Sequence, residues 1–191
     1  VTRKEYIKEV FAGQAEIAIE NLGRIYQAVG NKVQVIILDA TDLAAQNTLI
    51  CGPEGYRELN LPFSKKQNDW IHANTEWKTM KHCCGGCEPL IEGFIEAGFD
   101  VLNPVQTSAK GMDAQLLSEK YGDRIVFWGG GVDTQRTLPF GTADEVRREV
   151  AERVKTFSGK NGFVFAAIHN IQSNTPTENV LAMFEALGRR L

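Results

Sequence analysis

The stretch that decides the fold is Val33-Gln34-Val35-Ile36-Ile37-Leu38-Asp39. It is short, almost continuously apolar and rich in β-branched residues, which is typical of a strand buried on both faces of a parallel sheet. It stops at a carboxylate. Because a parallel strand needs helices on the faces of its sheet, this stretch predicts an α/β protein.

Similar strand-like runs recur along the chain, separated by segments whose apolar residues have helical spacing. The predicted strands cover 33–39, 79–84, 100–103, 124–128 and 163–169. The predicted helices cover 2–29, two segments that are interrupted at Pro62 and end near Trp77, 89–97, 112–121, 142–157 and 176–189. Capping boxes are predicted to begin three of these helices, at Thr2, Thr142 and Thr175.

The alternation of strands and helices requires a parallel sheet with right-handed crossovers. A complete (β/α)8 TIM barrel needs about 250 residues, whereas this chain of 191 residues has about five βα units. An open doubly wound sheet is the alternative, but no strand is followed by Gly-x-Gly-x-x-Gly spacing. The nearest match, Gly129-Gly130-Gly131, predicts a tight turn that gives a substrate access to the backbone at Gly130. We therefore expect one α/β domain, 1–191, that forms the C-terminal part of a parallel (β/α)8 barrel.

The composition restricts the classes of partner. A net charge of −3 and a pI near 5.7, without a block of basic residues, argue against binding of nucleic acid. No apolar run approaches the roughly 18 residues of a membrane span, and the four cysteines do not resemble a secreted disulfide framework. We expect a cytoplasmic protein with no membrane partner. Uncovered strand edges predict association with the N-terminal part of the barrel or with a second copy, which a monodisperse monomer would contradict.

Metal-binding residue types are concentrated in Thr79-Met80-Lys81-His82-Cys83-Cys84-Gly85-Gly86-Cys87. Side chains alternate between the faces of a strand, so His82 and Cys84 point the same way and Cys83 points oppositely. Imidazole and thiolate are ligands of zinc, and Cys87 offers a further sulfur. The alternative is that these cysteines are small core residues. The ligand types and their spacing favour a metal site.

Each predicted strand ends at a polar residue or at a glycine run. In parallel α/β folds the carboxyl ends of the strands gather at one rim, where ligands bind. The ends are Asp39, His82 with Cys84, Asn103, the glycine run 129–131, and His169. The sequence thus predicts one polar site that is built from residues far apart in the chain.

A series of motifs spans the chain: Asp42-Leu43-Ala44-Ala45-Gln46, His82-x-Cys84-Gly85, 101–106 with Gly111-Met112-Asp113, 128–135, 138–142, and His169-Asn170-Ile171-Gln172. Together they resemble the uroporphyrinogen decarboxylase superfamily. The resemblance covers nearly the whole chain and implies the C-terminal two-thirds of that family's (β/α)8 barrel. The superfamily contains cofactor-independent decarboxylases of uroporphyrinogen. It also contains zinc-dependent methyltransferases that move a methyl group between a corrinoid protein and a thiol or another acceptor.

The methyltransferase branch is similar to this chain at His-x-Cys, which implies that His82 and Cys84 are zinc ligands. A third ligand, usually cysteine, lies at the end of a late strand in that branch, and the matching position here is His169. Imidazole in place of thiolate preserves a zinc site, and Cys87 is the substitute if His169 lies too far away. The resemblance therefore implies bound Zn²⁺, and a corrinoid carried by a partner protein.

Other polar residues of the rim have expected roles in this chemistry. Asp39 and Asp42 are the candidate catalytic carboxylates, one of which is expected to orient a ligand imidazole, and a buried, solvated or capping aspartate is the equal alternative for either. Amides at the rim are expected to bind a small-molecule substrate, with hydrogen bonding within loops as the alternative. These amides are Gln46, Asn103, Gln106 and Gln172.

Three functions remain open from the sequence. The favoured one is zinc-dependent methyl transfer, in which three protein ligands leave a fourth position for the substrate sulfur. The second is metal-free decarboxylation of uroporphyrinogen at the same rim. The third is a non-enzymatic domain that is stabilised by a closed, four-ligand metal site.

Overall fold

The structure is a computed structural model that describes residues 2–188, and its centre is a five-stranded sheet in which all neighbouring strands are parallel. The strands lie side by side in chain order. In a doubly wound sheet the strand order reverses at a switch point, whereas in a TIM barrel each strand is added beside the preceding one. The order confirms the predicted partial barrel. The strands are β1 (Val35–Asp39), β2 (Lys78–His82), β3 (Val101–Asn103), β4 (Val126–Trp128) and β5 (Phe163–Val164).

Helices connect the strands and cover one face of the sheet. They are α1 (Lys4–Val29), α2 (Pro53–Leu59), α3 (Leu61–Asn74), α4 (Glu88–Glu96), α5 (Ala114–Tyr121), α6 (Thr137–Phe140), α7 (Ala143–Phe157) and α8 (Thr177–Glu185). The single turn α6 was not predicted, and the predicted end of the last helix near Arg189 lies outside the described residues. None of the helices within 2–188 is long and apolar enough to cross a membrane.

Two of the three predicted capping boxes are wrong. Helix α1 has Arg3 at its N-cap position and α8 has Pro176, and neither residue makes a side-chain capping hydrogen bond. A capping side chain must occupy the N-cap position to reach the third helical amide, so a shift of one residue removes the boxes at Thr2 and Thr175. The box at Thr142 is confirmed, with both of its hydrogen bonds present.

Strand β5 ends at Val164 and is therefore shorter than the predicted 163–169. The glycine run after β4 departs from regular strand hydrogen bonding. The segment that follows β5 lies beside this run and therefore forms only isolated backbone hydrogen bonds with it. The Gly131 N–H, for example, donates to the Ala166 carbonyl at 2.9 Å. Such contacts still guide the chain along the sheet to the rim, where His169 lies.

The two faces of the sheet differ in how well they are covered. Leu102 of β3 belongs to the main hydrophobic core together with Phe94 of α4, which identifies the helix-covered face. Ile37 of β1 pairs with Met80 of β2 and is 60% exposed. In a complete barrel, side chains from all eight strands fill the interior. The inner face of this sheet is therefore open at its β1 edge.

Lys81 has a fully buried side chain on the helix-covered side of β2. Its Nζ lies 2.8 Å from Asp39 Oδ2, donates to the Thr41 carbonyl at 2.9 Å, and stands 5.6 Å from the Phe94 ring centroid. The other oxygen of Asp39 accepts the Thr41 N–H at 2.8 Å. A buried charge requires such a partner. Asp39 therefore neutralises Lys81 and ties β1 to β2, and a catalytic or imidazole-orienting role for it stays a prediction.

Replacing Asp39 with alanine is expected to lower the free energy of unfolding by about 3 kcal/mol, because it leaves an unpaired charge in the core. Urea unfolding followed by circular dichroism measures this change. The exposed pair of Lys65 and Asp69, at 2.7 Å, supplies the control. Asp69→Ala should change stability by less than about 1 kcal/mol.

The double variant Asp39→Ala, Lys81→Met should regain most of the lost stability, because it also removes the buried charge. An Asp39→Ala protein as stable as the parent would contradict this account of the ion pair.

Candidate metal centre

Three metal-binding side chains meet at the rim of the sheet. The donor atoms of His82, Cys84 and His169 all lie within 4.8 Å of one another. Cys84 Sγ is 3.4 Å from His82 Nε2, and the two imidazole rings are 6.4 Å apart between centroids. His82 is the last residue of β2, whereas His169 follows β5. The rim thus joins residues from strands that are not neighbours in the sheet.

The position of Cys84 is fixed by the turn that follows β2. The Cys84 N–H donates to Asp42 Oδ1 at 2.8 Å, and Gly85 adopts a φ of +85°. A Cβ atom at Gly85 would lie 2.6 Å from the Ala45 carbonyl oxygen, so the turn requires glycine both for its conformation and for its space. Together these contacts direct the Cys84 sulfur toward His82.

Asn103 orients the imidazole of His82. The two residues are partners in the register of β2 and β3, and His82 Nδ1 lies 2.8 Å from Asn103 Oδ1. The amide group of Asn103 donates to the Trp128 carbonyl at 3.2 Å, which leaves its oxygen toward the ring. His82 Nδ1 is therefore the donor, and Nε2 keeps its lone pair for a metal. The substrate contact expected of Asn103 stays a prediction.

Asp42 lies beside the cluster but outside it. Besides holding the Cys84 amide, its Oδ1 is 4.0 Å from His82 Nε2, and its side chain is 49% exposed. The hydrogen bond that orients the His82 ring comes from Asn103, and a role of Asp42 in orienting an imidazole or in catalysis stays a prediction. Burial, followed by the negative charge of Asp42, raises the pKa of the Cys84 thiol to about 11. A bound metal ion would reverse this effect, because coordination deprotonates a thiol.

Two amides that were expected to bind substrate are used inside the protein. Gln46 donates to the Ser108 carbonyl at 2.8 Å and accepts from the Gln106 amide at 2.7 Å. Gln106 in turn accepts the Gly85 N–H at 2.7 Å. This chain of hydrogen bonds links three rim loops. Gln46 and Gln106 therefore position the turn that carries Cys84.

Gly130 is also enclosed by protein. It has a φ of +81°, and a Cβ there would lie 2.8 Å from the Val105 carbonyl oxygen. The close approach that requires glycine is thus to the neighbouring loop, and the expected contact with a substrate stays a prediction. Gln172, in contrast, is exposed at the rim, where it donates to the Asn170 carbonyl at 3.1 Å.

Cys87 is separated from the cluster. It is fully buried at the start of α4, and its thiol contacts the Cys83 carbonyl at 3.8 Å. Contact with the Cys83 sulfur, together with burial, raises the pKa of the Cys87 thiol. The alternative reading, in which cysteines fill the core, therefore describes Cys83 and Cys87, both of which are core residues.

Two open pockets meet at His169. The first, which we call the alanine pocket, has a volume of about 480 Å³ and lies beside His82, Asn103, Ala166 and Ala167. The second, which we call the amide pocket, has a volume of about 330 Å³ and lies beside Cys84, Thr134, Gln135, Asn170 and Gln172. Sequence reasoning missed Thr134 and Gln135, although they directly follow the end of a strand and its glycine turn.

The donor set fits a catalytic zinc ion. Two imidazoles and one thiol are the ligand types that zinc prefers, and three protein donors with open space beside them match sites that bind substrate at the fourth position. Within residues 2–188, no fourth His, Cys, Asp or Glu joins the group. The arrangement can therefore hold a metal and leave it accessible from both pockets.

Comparison with known proteins identifies the family of this chain. The sequence model of uroporphyrinogen decarboxylase (URO-D) matches residues 2–190. The chain belongs to the uroporphyrinogen decarboxylase family. A uroporphyrinogen decarboxylase from Psychromonas ingrahamii is 24% identical over 142 residues, which are 72% of this chain and 38% of that protein.

The chain is also similar to a solved structure, a methyltransferase from Methanosarcina mazei. It is 22% identical, with a TM-score of 0.65 over 90% of this chain and 46% of that one. This similarity supports the fold. The URO-D family chain described here spans less than half the length of either relative.

Replacing Asn103 with alanine is expected to weaken zinc binding by about 10- to 100-fold, the usual effect of removing a residue that orients a metal-bound histidine. Competition with a chromogenic chelator measures the affinity. Gln172→Ala is the control, because Gln172 contacts its own loop and neither imidazole. Equal zinc affinity in Asn103→Ala and the parent protein would contradict the orienting role.

Proposed function

We propose that this URO-D family chain supplies the zinc-binding rim of an enzyme that transfers a methyl group from a corrinoid protein to a thiol. The observation that carries the proposal is the cluster of His82, Cys84 and His169, whose donor atoms converge beside two open pockets. Family membership alone leaves the reaction open between decarboxylation and methyl transfer. The metal-binding residues favour methyl transfer, because a metal-free decarboxylase has no use for them.

The three donors would hold the ion and expose its fourth position to the substrate sulfur. Zinc, when bound there, would act as a Lewis acid that lowers the pKa of the substrate thiol and keeps it as a thiolate. Asn103 keeps His82 Nε2 directed at the site, and Asp42 holds the backbone of Cys84. These contacts would hold two of the donor residues in place around the ion.

The second substrate in this proposal is a methylated corrinoid carried by a partner protein. The substrate sulfur forms a bond to the methyl carbon, and the carbon–cobalt bond breaks with its electron pair remaining on cobalt. The proton of the thiol is released to solvent. The alanine pocket, with the small side chains of Ala166 and Ala167, leaves space for the methyl group to approach the sulfur.

The relative named uroporphyrinogen decarboxylase supports a second candidate, metal-free decarboxylation of a tetrapyrrole. A substrate with many carboxylates needs cationic side chains that form charge-assisted hydrogen bonds. Among the described residues that line the two pockets, none is lysine or arginine. This lining favours the methyltransferase proposal for the part of the rim that the chain supplies.

The non-enzymatic alternative requires a closed site with four protein ligands. The described part of the chain brings three donors together, and the remaining candidate sulfur, Cys87, is buried in the core. An open position is typical of catalytic zinc sites, whereas structural sites are closed. The donor count thus supports an enzyme over a metal-stabilised binding domain.

Methyl transfer from methylcobalamin to 2-mercaptoethanol tests the proposal in the purified, zinc-loaded chain. We expect zinc-dependent loss of methylcobalamin absorbance and formation of the methyl thioether, detected by mass spectrometry. Cys84→Ala and His169→Ala should each lower the rate by more than about 100-fold, because loss of a ligand exceeds the 10- to 100-fold effect of residues that only orient ligands.

Cys51→Ala is the matched control, since Cys51 is a free cysteine outside the cluster. It should keep both the bound zinc and the rate of the parent protein. Release of carbon dioxide from uroporphyrinogen by the metal-free protein, without any methyl transfer, would contradict the proposal and support the decarboxylase candidate.

A further inference from the structure

The amide pocket has a lining suited to a particular chemistry. Its wall beside the metal cluster contains hydroxyl and amide side chains, from Thr134, Gln135 and Gln172. Among the described residues that line it, none is Asp, Glu, Lys or Arg. The wall formed by these residues can therefore form hydrogen bonds with a ligand, and its own side chains offer no opposite charge to an ionic group.

The polar groups of this wall are free to bind a ligand. Within residues 2–188, the side chains of Thr134 and Gln135 form no hydrogen bond with the protein, whereas the nearby Gln106 uses both ends of its amide. Gln172 uses its NH₂ group on its own loop, which leaves its oxygen as an acceptor. Donors and acceptors thus remain on one side of the cluster.

The carboxylate of Asp42, which lies beside the cluster, disfavours an anion. Asp42 is half exposed and lies 4.0 Å from His82 Nε2, and an anionic tail at the rim would be repelled by it. A negatively charged tail would also lose its hydration without gaining a cationic partner in the amide pocket. A neutral polar tail avoids both penalties.

We propose that the methyl acceptor is a small thiol with an uncharged, hydrogen-bonding tail, and that this tail lies in the amide pocket. The inference rests on the proposed function, because it assumes that the thiol sulfur occupies the open position of the metal. The pocket, with a volume of about 330 Å³, accommodates a small tail. Thr134 and Gln135 are the residues that select it.

Binding of thiols to the Co²⁺-loaded chain tests this inference without methyl transfer. The probes are 3-mercapto-1,2-propanediol (neutral), 3-mercaptopropionate (anionic) and cysteamine (cationic), and the increase in sulfur-to-cobalt charge-transfer absorbance above the band of Cys84 reports the bound thiol. We expect the neutral thiol to bind at least about tenfold more tightly than the anionic one, because the anionic tail would lie in the pocket without an oppositely charged partner.

Two variants of the exposed residue Gln135 provide matched controls. Gln135→Lys adds a cation and should reduce or reverse the preference against 3-mercaptopropionate. Gln135→Met removes the hydrogen-bonding groups with a side chain of similar size. It should weaken binding of the neutral thiol and leave binding of the anionic thiol unchanged.

The possible failures are distinguishable. Equal or tighter binding of 3-mercaptopropionate or of cysteamine by the parent chain, or no effect of Gln135→Lys, overturns the neutral-tail inference but leaves thiol methylation standing. No increase in charge-transfer absorbance with any thiol, while Co²⁺ remains bound, overturns both the inference and the thiol-acceptor function.

Discussion

The structure depends on five parallel strands that are added in chain order, because this arrangement brings the carboxyl end of every strand to the same rim. His82 and His169 belong to distant parts of the chain, yet they meet there with Cys84. The register of β2 and β3 adds the second constraint, since it places Asn103 opposite His82. Sheet geometry therefore determines both the positions of the candidate donor side chains and the orientation of one of them.

The scaffold and the site use the same class of side chain for different purposes. The amides of Gln46 and Gln106 form a hydrogen bond that links the rim loops, and the amide of Asn103 orients His82. Those of Gln135 and Gln172 line an open pocket. Rigid loops around the metal-binding residues thus coexist with hydrogen-bonding groups that a substrate can use, which is the arrangement that a preorganised site requires.

The sequence predicted the strands, their parallel arrangement and the convergence of His82 and Cys84, because hydrophobic periodicity and strand alternation act over short distances. It did not predict how the rim amides are used, because Gln46 and Gln106 are partners 60 positions apart whose loops lack a periodic pattern. The burial of Cys87 and the ion pair of Asp39 with Lys81 also depend on tertiary packing. Residue type alone could not separate these structural roles from functional ones.

X-ray absorption spectroscopy of the zinc-loaded chain, in buffer free of thiols, tests the central claim most directly, because it counts the sulfur and nitrogen atoms bound to the metal. The account predicts one sulfur, from Cys84, and two imidazole nitrogens, from His82 and His169. Two or more sulfurs would contradict it, because they would require Cys87 or Cys83 to leave the core and bind the metal.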